Sequence, residues 1–386
     1  MPYCDKKTIT FLLTTRCNLN CSYCYGNRKM DYKTLDFKFA KRVLNDFAEA
    51  DKLNRICFSA DGEPTTEMEL LKNIFHEAKQ HNPDVATEIV TNGTFNEDVA
   101  KWLAENLDYI YVSADLLPES HDKFRLTITG KPSSPPILKN LEFFSKIPDK
   151  HAKIGLRATI TKYNITKQKE GMDFYFDNFG VDIFWVKPIL EPIYDAEEKY
   201  YESVDIMQFA QTFIDAHAHA WQRGIFYESN LTENFDDETS KACSACVPMP
   251  YLTVDGYLSA CKLVTYGKNA GKMEPLIYAR YDAVDDKIIY DTEKTKMLRN
   301  RTLRNMPTEC GVCVASKHCA GYCPAEALNE TGKLLSVKSN VCKAMRYLQS
   351  EIGHLYAEKF GTGGFPYKSH RNNKQNQRKG AKNDRE

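Results

Sequence analysis

The sequence predicts an α/β fold: a parallel sheet with right-handed crossovers, open or barrel-like, followed by a smaller cysteine-rich unit. Three observations predict it. Strand-like and helix-like segments alternate six times between residues 8 and about 190. Polar or glycine-containing residues gather where the strand-like runs end, the edge at which such sheets collect their chemistry. From Cys243 onward the alternation stops, and cysteines recur in short groups.

The elements follow in order. Residues 9–15 are a short apolar run that reads as a strand. Residues 34–50 carry Leu35, Phe39, Val43, Leu44 and Phe47 at helical spacing. Residues 55–59 read as a strand, 67–79 as a helix, and 86–91 as a strand ending at Asn92-Gly93. Asn96 is a plausible cap for a helix over 96–106. A strand over 109–113 precedes a helix over 136–146, which proline opens near its first turn. Strand 153–161, helix 166–178 and strand 181–187 complete the alternation. Residues 194–201, acidic and tyrosine-rich, read as a linker into a helix over 204–223. His217 and His219 on that helix are two apart, so they do not share a face, and a two-histidine metal site is a poor reading. Residues 230–239 are acidic and irregular, which marks a boundary. Asp255-Gly256 then signals a hairpin between runs 251–254 and 257–260, and a helix covers 342–360.

Composition narrows the function. The chain has 386 residues, 42% of them hydrophobic, with 52 basic and 52 acidic side chains. That length suits two or three domains, and the balance removes any global argument for nucleic acid or an anionic membrane surface. No apolar run reaches 18 residues and the first seven residues lack a signal-peptide layout, so the expectation is a cytoplasmic protein with no membrane partner. The chain has 13 cysteines, and in a protein of this size metal ligation accounts for them better than a disulfide scaffold.

Cys17, Cys21 and Cys24 stand three and then two residues apart, just after the first strand. Thiolates on so short a loop can converge on one soft metal centre, an iron–sulfur cluster or a partial zinc site. The spacing resembles the signature of the radical S-adenosylmethionine (radical SAM) superfamily. The resemblance implies a partial (β/α)6 barrel and a 4Fe–4S cluster whose open iron chelates SAM. Residues 59–64, Ser-Ala-Asp-Gly-Glu-Pro, are similar to that family's Gly-Gly-Glu-Pro motif, with Asp61 replacing the first glycine. On that resemblance Gly62 and Glu63 hold the ammonium of SAM. Ser113 and Asp115 resemble the strand end that contacts its sugar or methionyl part. Arg157 is a candidate for its carboxylate by bidentate pairing. For Asp115 and Arg157 a structural ion pair is the rival reading. The run from Ser113 through His121, Asp122 and Arg125 also resembles a loop of the family's peptide-modifying branch.

The second cysteine field reads Cys243-x2-Cys246-x9-Gly-x4-Cys261, then Cys310-x2-Cys313-x5-Cys319-x3-Cys323 and finally Cys342. From Cys246 onward this resembles the seven-cysteine SPASM extension of radical SAM enzymes, with Cys243 as an eighth. Eight thiolates suffice for two fully ligated 4Fe–4S clusters, or for a pair of zinc sites. By the family's pattern, Cys243, Cys246, Cys261 and Cys323 hold one cluster, and Cys310, Cys313, Cys319 and Cys342 the other. Cys57 reads as a small buried residue, and Cys4 has no assigned role.

The resemblance therefore implies three 4Fe–4S clusters, SAM, a peptide or protein substrate, and a reductase, flavodoxin or ferredoxin as electron donor. It implies a radical SAM domain with linker helix over 1–235, a small iron–sulfur SPASM domain over 236–352, and a helix end with a basic tail over 353–386. The expected function is a maturase that oxidises or cross-links side chains of a ribosomally made peptide. The alternative is an anaerobic sulfatase-type maturase forming formylglycine. Those enzymes carry an aspartate directly after the cysteine at the position of Cys261, where this chain has Lys262. A cluster-containing electron carrier is the reading from another class, and the SAM-site motifs argue against it. Only a few residues precede the first strand, too few for a leader-binding module, so the barrel, the SPASM region, the tail or a partner must grip the substrate. Asp61, Lys187 and Lys262 are acid–base candidates by position alone; the catalytic residue is unassigned.

Overall fold

The computed structural model describes residues 8–26, 32–148, 150–189, 203–235, 238–268, 270–337 and 339–360. Cys4, the 194–201 linker and the basic tail over 368–386 lie outside the described residues.

The six expected strands form and run parallel: β1 (Thr8–Leu12), β2 (Arg55–Ser59), β3 (Ala86–Thr91), β4 (Tyr109–Ser113), β5 (Lys153–Ile160) and β6 (Ile183–Pro188). Each alternates a buried outward-facing row with a row that lines the concave face. Phe11, Phe58, Ile89, Ile110, Leu156 and Phe184 belong to the buried row. The helices that return the chain bury their apolar stripe against it. Helix Phe37–Glu49 contributes Phe39, Val43, Leu44 and Phe47, each fully enclosed. Each such side chain contributes about 1.5–3 kcal/mol. Asp36, Asn96 and Asp205 cap three of the helices through their side chains, Asn96 by accepting from Val99 N–H at 3.0 Å.

Five further strands extend the sheet, and two of them are the hairpin expected from the sequence. β7 (Phe226–Ser229) follows helix Ile206–Arg223 and pairs parallel with β6. The expected hairpin is β8 (Tyr251–Leu252) and β9 (Tyr257–Ser259), joined by β10 (Ile277–Asp282) and β11 (Lys287–Tyr290). β8 pairs parallel with β1, Tyr251 opposite Thr10, so one sheet runs β11-β10-β9-β8-β1-β2-β3-β4-β5-β6-β7. The cysteine-rich part is thus continuous with the barrel sheet through β1, where the sequence suggested only a boundary near residue 235. Helix Ser339–Phe360 packs on Ile206–Arg223. His217 and His219 are spent on structure: His217 Nδ1 lies 2.9 Å from the Tyr227 carbonyl, and His219 Nε2 lies 2.7 Å from Asp173. Among the described residues, no helix is long and apolar enough to cross a membrane.

Candidate active site

The loop after β1 is stitched to the segment after β4. Asn20 N–H donates to the Leu126 carbonyl at 2.7 Å, Ser22 N–H to Phe124 at 2.9 Å, and Ile128 N–H returns to Asn18 at 3.2 Å. The loop itself turns on Cys24 N–H donating to the Cys21 carbonyl. Leu19 N–H points at Cys17 Sγ (3.4 Å) and Gly26 N–H at Cys24 Sγ (3.3 Å). Soft sulfur donors that accept backbone N–H groups suit an iron–sulfur cluster, whose potential such hydrogen bonds tune. Among the described residues no three His, Cys, Asp or Glu side chains converge tightly enough for a single metal ion. A four-iron cluster takes one ligand per iron and spaces them more widely.

Tyr23, between the second and third cysteine, is what anchors the loop. Its hydroxyl donates to Asp115, which is fully buried. Arg125 Nε donates to the same carboxylate at 3.0 Å and lays its guanidinium over the Tyr23 ring. Asp115 also accepts from Thr159 N–H (2.9 Å) on β5. Asp115 N–H donates to His121 Nδ1 (3.2 Å), whose Nε2 donates to Ser133 Oγ (2.8 Å). Burial holds His121 neutral, pulling it down to about 4. The ion pair weighed as the rival to a SAM contact is present: the Asp115 oxygens meet Tyr23, Arg125 and Thr159, and the carboxylate positions the cysteine loop against β4 and β5.

Glu63 is likewise an internal staple. It is 2% exposed and accepts from Thr65 N–H (3.1 Å), Thr65 Oγ1 (2.8 Å), Thr91 Oγ1 (2.6 Å) and Asn92 N–H (2.6 Å). Burial raises its carboxyl, and these four donors offset that rise only in part. These bonds tie the segment after β2 to the end of β3. Gly62 does supply a close approach, but to the protein itself. A Cβ there would stand 1.9 Å from the Arg16 carbonyl oxygen, and Glu63 N–H donates to that oxygen at 2.7 Å. The motif after β2 is locked backbone to backbone against the cysteine loop.

Ser113 and Arg157 are register partners on β4 and β5 and share the concave face. Trp185 and then Glu228 continue their row across β6 and β7. The Arg157 guanidinium lies over the Tyr111 ring at 5.3 Å, and its Nε is buried without a hydrogen-bond partner. An orphaned guanidinium donor at the carboxyl end of the strands fits a carboxylate ligand, such as that of SAM. Lys187, on β6, lies 3.8 Å from Glu326. Lys262, exposed at its surface, has its ammonium desolvated and crowded by Arg157 and Lys187, which brings it down to about 8. Cys57 on β2 is buried as expected, and its thiol shares this electrostatic neighbourhood with Glu88, Arg157 and Lys262. Asp61 is half-buried and packs its backbone against Gly26.

The second field separates into two groups of four. Cys243 donates to Cys246, which raises the Cys243 thiol and lowers that of Cys246. Cys323 interacts electrostatically with Cys243 and with Cys261, and burial pushes it up to about 12. Cys310, Cys313, Cys319 and Cys342 line one small, almost wholly apolar cavity with Tyr322, Val341 and Met345. Burial raises Cys319 to about 11, with Cys342 and Cys310 adding repulsion. Metal ligation deprotonates such thiols, so convergent cysteines of this kind suit cluster ligation. Sequence reasoning missed Tyr23, Asn164 and the role of Arg125; the stretch containing Arg125 stands out only by resemblance. Asn164 Nδ2 holds the Asp115 carbonyl at 3.1 Å.

Residues 11–150 match the family model of the radical SAM superfamily. A curated relative, the cysteine-type anaerobic sulfatase-maturating enzyme of Clostridium novyi, is 25% identical over 230 residues, 56% of this chain and 60% of that enzyme. The chain spans about half to three-fifths of the length of several curated relatives it matches. The structure of anSMEcpe with bound AdoMet and the Kp18Cys peptide superposes with a TM-score of 0.69 at 17% identity, covering 91% of this chain and 97% of that one. Streptococcus suis SuiB bound to its precursor peptide SuiA gives 0.64 at 17% identity, covering 88% and 76%. At that identity the likeness is one of fold.

Proposed function

We propose that this chain, which carries a radical SAM domain over residues 11–150, is a maturase of a ribosomally made peptide that oxidises or cross-links its side chains. One 4Fe–4S cluster is held by Cys17, Cys21 and Cys24. Two auxiliary clusters are held by Cys243, Cys246, Cys261 and Cys323, and by Cys310, Cys313, Cys319 and Cys342. When bound, the first cluster supplies the electron that cleaves SAM to methionine and a 5′-deoxyadenosyl radical, which removes hydrogen from an unactivated carbon. The observation that carries the reading is the separation of the downstream cysteines into two groups of four, beside a concave face that also carries Ser113 and Arg157. The fold shared with peptide-bound SuiB and anSMEcpe supports a peptide partner.

The chain's own residues do the positioning. Tyr23, Asp115 and Arg125 set the cysteine loop on the strand ends, and Gly62 and Glu63 brace it from the other side. Arg157 offers its unpartnered Nε to the SAM carboxylate beside Ser113. Lys262, following Cys261, leaves the position of the formylglycine-forming aspartate without a carboxylate. A reductase, flavodoxin or ferredoxin delivers the electron. Anaerobic incubation with SAM and dithionite tests the reading. 5′-Deoxyadenosine forms with the wild type and not when Cys17, Cys21 and Cys24 are all replaced by alanine, while iron persists in that variant. Co-expression with a small peptide encoded beside the gene then gives a product lighter by two hydrogens for a cross-link. Cleavage of SAM by the triple variant overturns the assignment, and a product aldehyde that a hydrazide captures, as formylglycine would be, overturns cross-linking.

A further inference from the structure

Arg301 is the largest side chain fully buried in this structure, 1% exposed. It lies just beyond helix Thr292–Arg299, inside the second cysteine field. A guanidinium has five N–H donors, and here all are directed. Nε donates to the Leu334 carbonyl at 2.9 Å. One terminal nitrogen donates to the Tyr322 carbonyl at 3.0 Å and faces Cys246 Sγ at 4.0 Å. The other donates to Gly321 at 2.8 Å and to Ser336 at 3.3 Å. Every oxygen acceptor is a neutral backbone carbonyl, and among the described residues no carboxylate forms an ion pair with Arg301.

A buried, unpaired cation is costly, so a compensating negative charge belongs nearby. The guanidinium acts electrostatically on a cysteine of each group, Cys246 of one and Cys310 of the other, so cluster-ligated thiolates would supply that charge. The backbone points the same way. Ala320, Gly321 and Tyr322 are three consecutive residues with positive φ (44°, 85° and 55°). For the two non-glycine residues that left-handed conformation is strained. The turn aims the Gly321 and Tyr322 carbonyls at the guanidinium. It also divides Cys319, of one group, from Cys323, of the other.

We propose that Arg301 is the internal counter-ion of the auxiliary cluster field, clamping the strained turn that parts the two ligand sets and favouring, by its charge, the reduced state of the cluster on Cys246. This rests on the two-auxiliary-cluster reading above. Adding an electron to a thiolate-ligated cluster increases its negative charge, and a fixed cation in a low-dielectric interior stabilises the product more than the reactant. Arg301 is therefore a positioning and tuning residue rather than a catalytic one. Its charge sets how readily the auxiliary cluster accepts an electron from the oxidised substrate.

The test uses the anaerobically reconstituted full chain, with iron and sulfide content measured before an EPR-monitored redox titration. In Arg301→Met, the ratio of reduced to oxidised auxiliary cluster at a fixed poise falls about tenfold, equivalent to 59 mV for a one-electron couple. Arg301→Lys keeps the charge, and its potential stays at the wild-type value. Arg301→Met with full cluster content and the wild-type potential overturns the proposal. If the methionine variant does not assemble its clusters, the lysine variant decides. Assembly at the wild-type potential supports the proposal, and a shift as large as the tenfold expected for methionine refutes it. Wild-type protein with iron for a single cluster would instead refute the two-cluster reading on which this inference depends.

Discussion

Replacing Asp115 by asparagine removes a charge from the centre of the network that holds the cysteine loop. The carboxylate is 0% exposed, its partner Arg125 is 13% exposed in its side chain, and they meet at 3.0 Å. Asparagine keeps the shape and can still accept from Thr159 N–H, but it leaves the Arg125 guanidinium buried beside a neutral group. Breaking a buried pair from one side costs about 3–5 kcal/mol, a large part of the 5–15 kcal/mol typical of a folded domain. The Tyr23 hydroxyl loses a charge-assisted acceptor as well. Urea unfolding under anaerobic conditions measures the loss, provided the denaturant slope stays constant. Asp115→Asn is expected to cost about 3 kcal/mol or more. Adding Arg125→Met restores most of it, because the orphaned cation is then gone. A loss below about 1 kcal/mol, the scale of a single neutral hydrogen bond, refutes the reasoning. So does strict additivity of the two single losses, since residues in one network couple.

Two further outcomes follow from the geometry. Gly62→Ala drives a Cβ to 1.9 Å from the Arg16 carbonyl, a backbone contact that no rotamer relieves; it costs about 1–3 kcal/mol or more and lowers the iron bound at the adjacent loop, and wild-type iron content with an unchanged urea midpoint would count against it. His121 is held down to about 4 from an ordinary value of 6.5, so between those values the unfolded chain binds more protons and stability falls as pH drops from about 6.5 to about 4. The loss is on the order of 3 kcal/mol, and His121→Gln flattens that limb of a urea-midpoint-against-pH profile. An identical slope in the variant would place the proton uptake elsewhere.

The core of the sheet was legible because its strands are short apolar or β-branched runs between polar ends. Residues 55–59, 86–91 and 109–113 form strands with the expected bounds. β7, Phe-Tyr-Glu-Ser, and β11, Lys-Ile-Ile-Tyr, are too short and too polar at one end to stand out. Their strand character comes from a neighbouring strand that is already in place. The cysteines were legible because soft donors at fixed spacing on a loop carry their chemistry with them.

What the sequence determined by itself was the donor set: three thiols after the first strand, and eight more after residue 240. Only the tertiary structure decided how the carboxylates and cations are spent. Glu63 meets Thr91 and Asn92, nearly thirty positions on, and becomes a brace. Asp115 meets Tyr23 from the far side of the barrel and becomes an anchor. Arg157 meets no acceptor at Nε and stays available, while Arg301 collects four carbonyls and a sulfur from three separate loops. A thiol's affinity for iron is a property of the residue, so local spacing reveals it. Whether a buried charge is already paired is a property of its surroundings, and those are assembled from chain segments far apart in sequence.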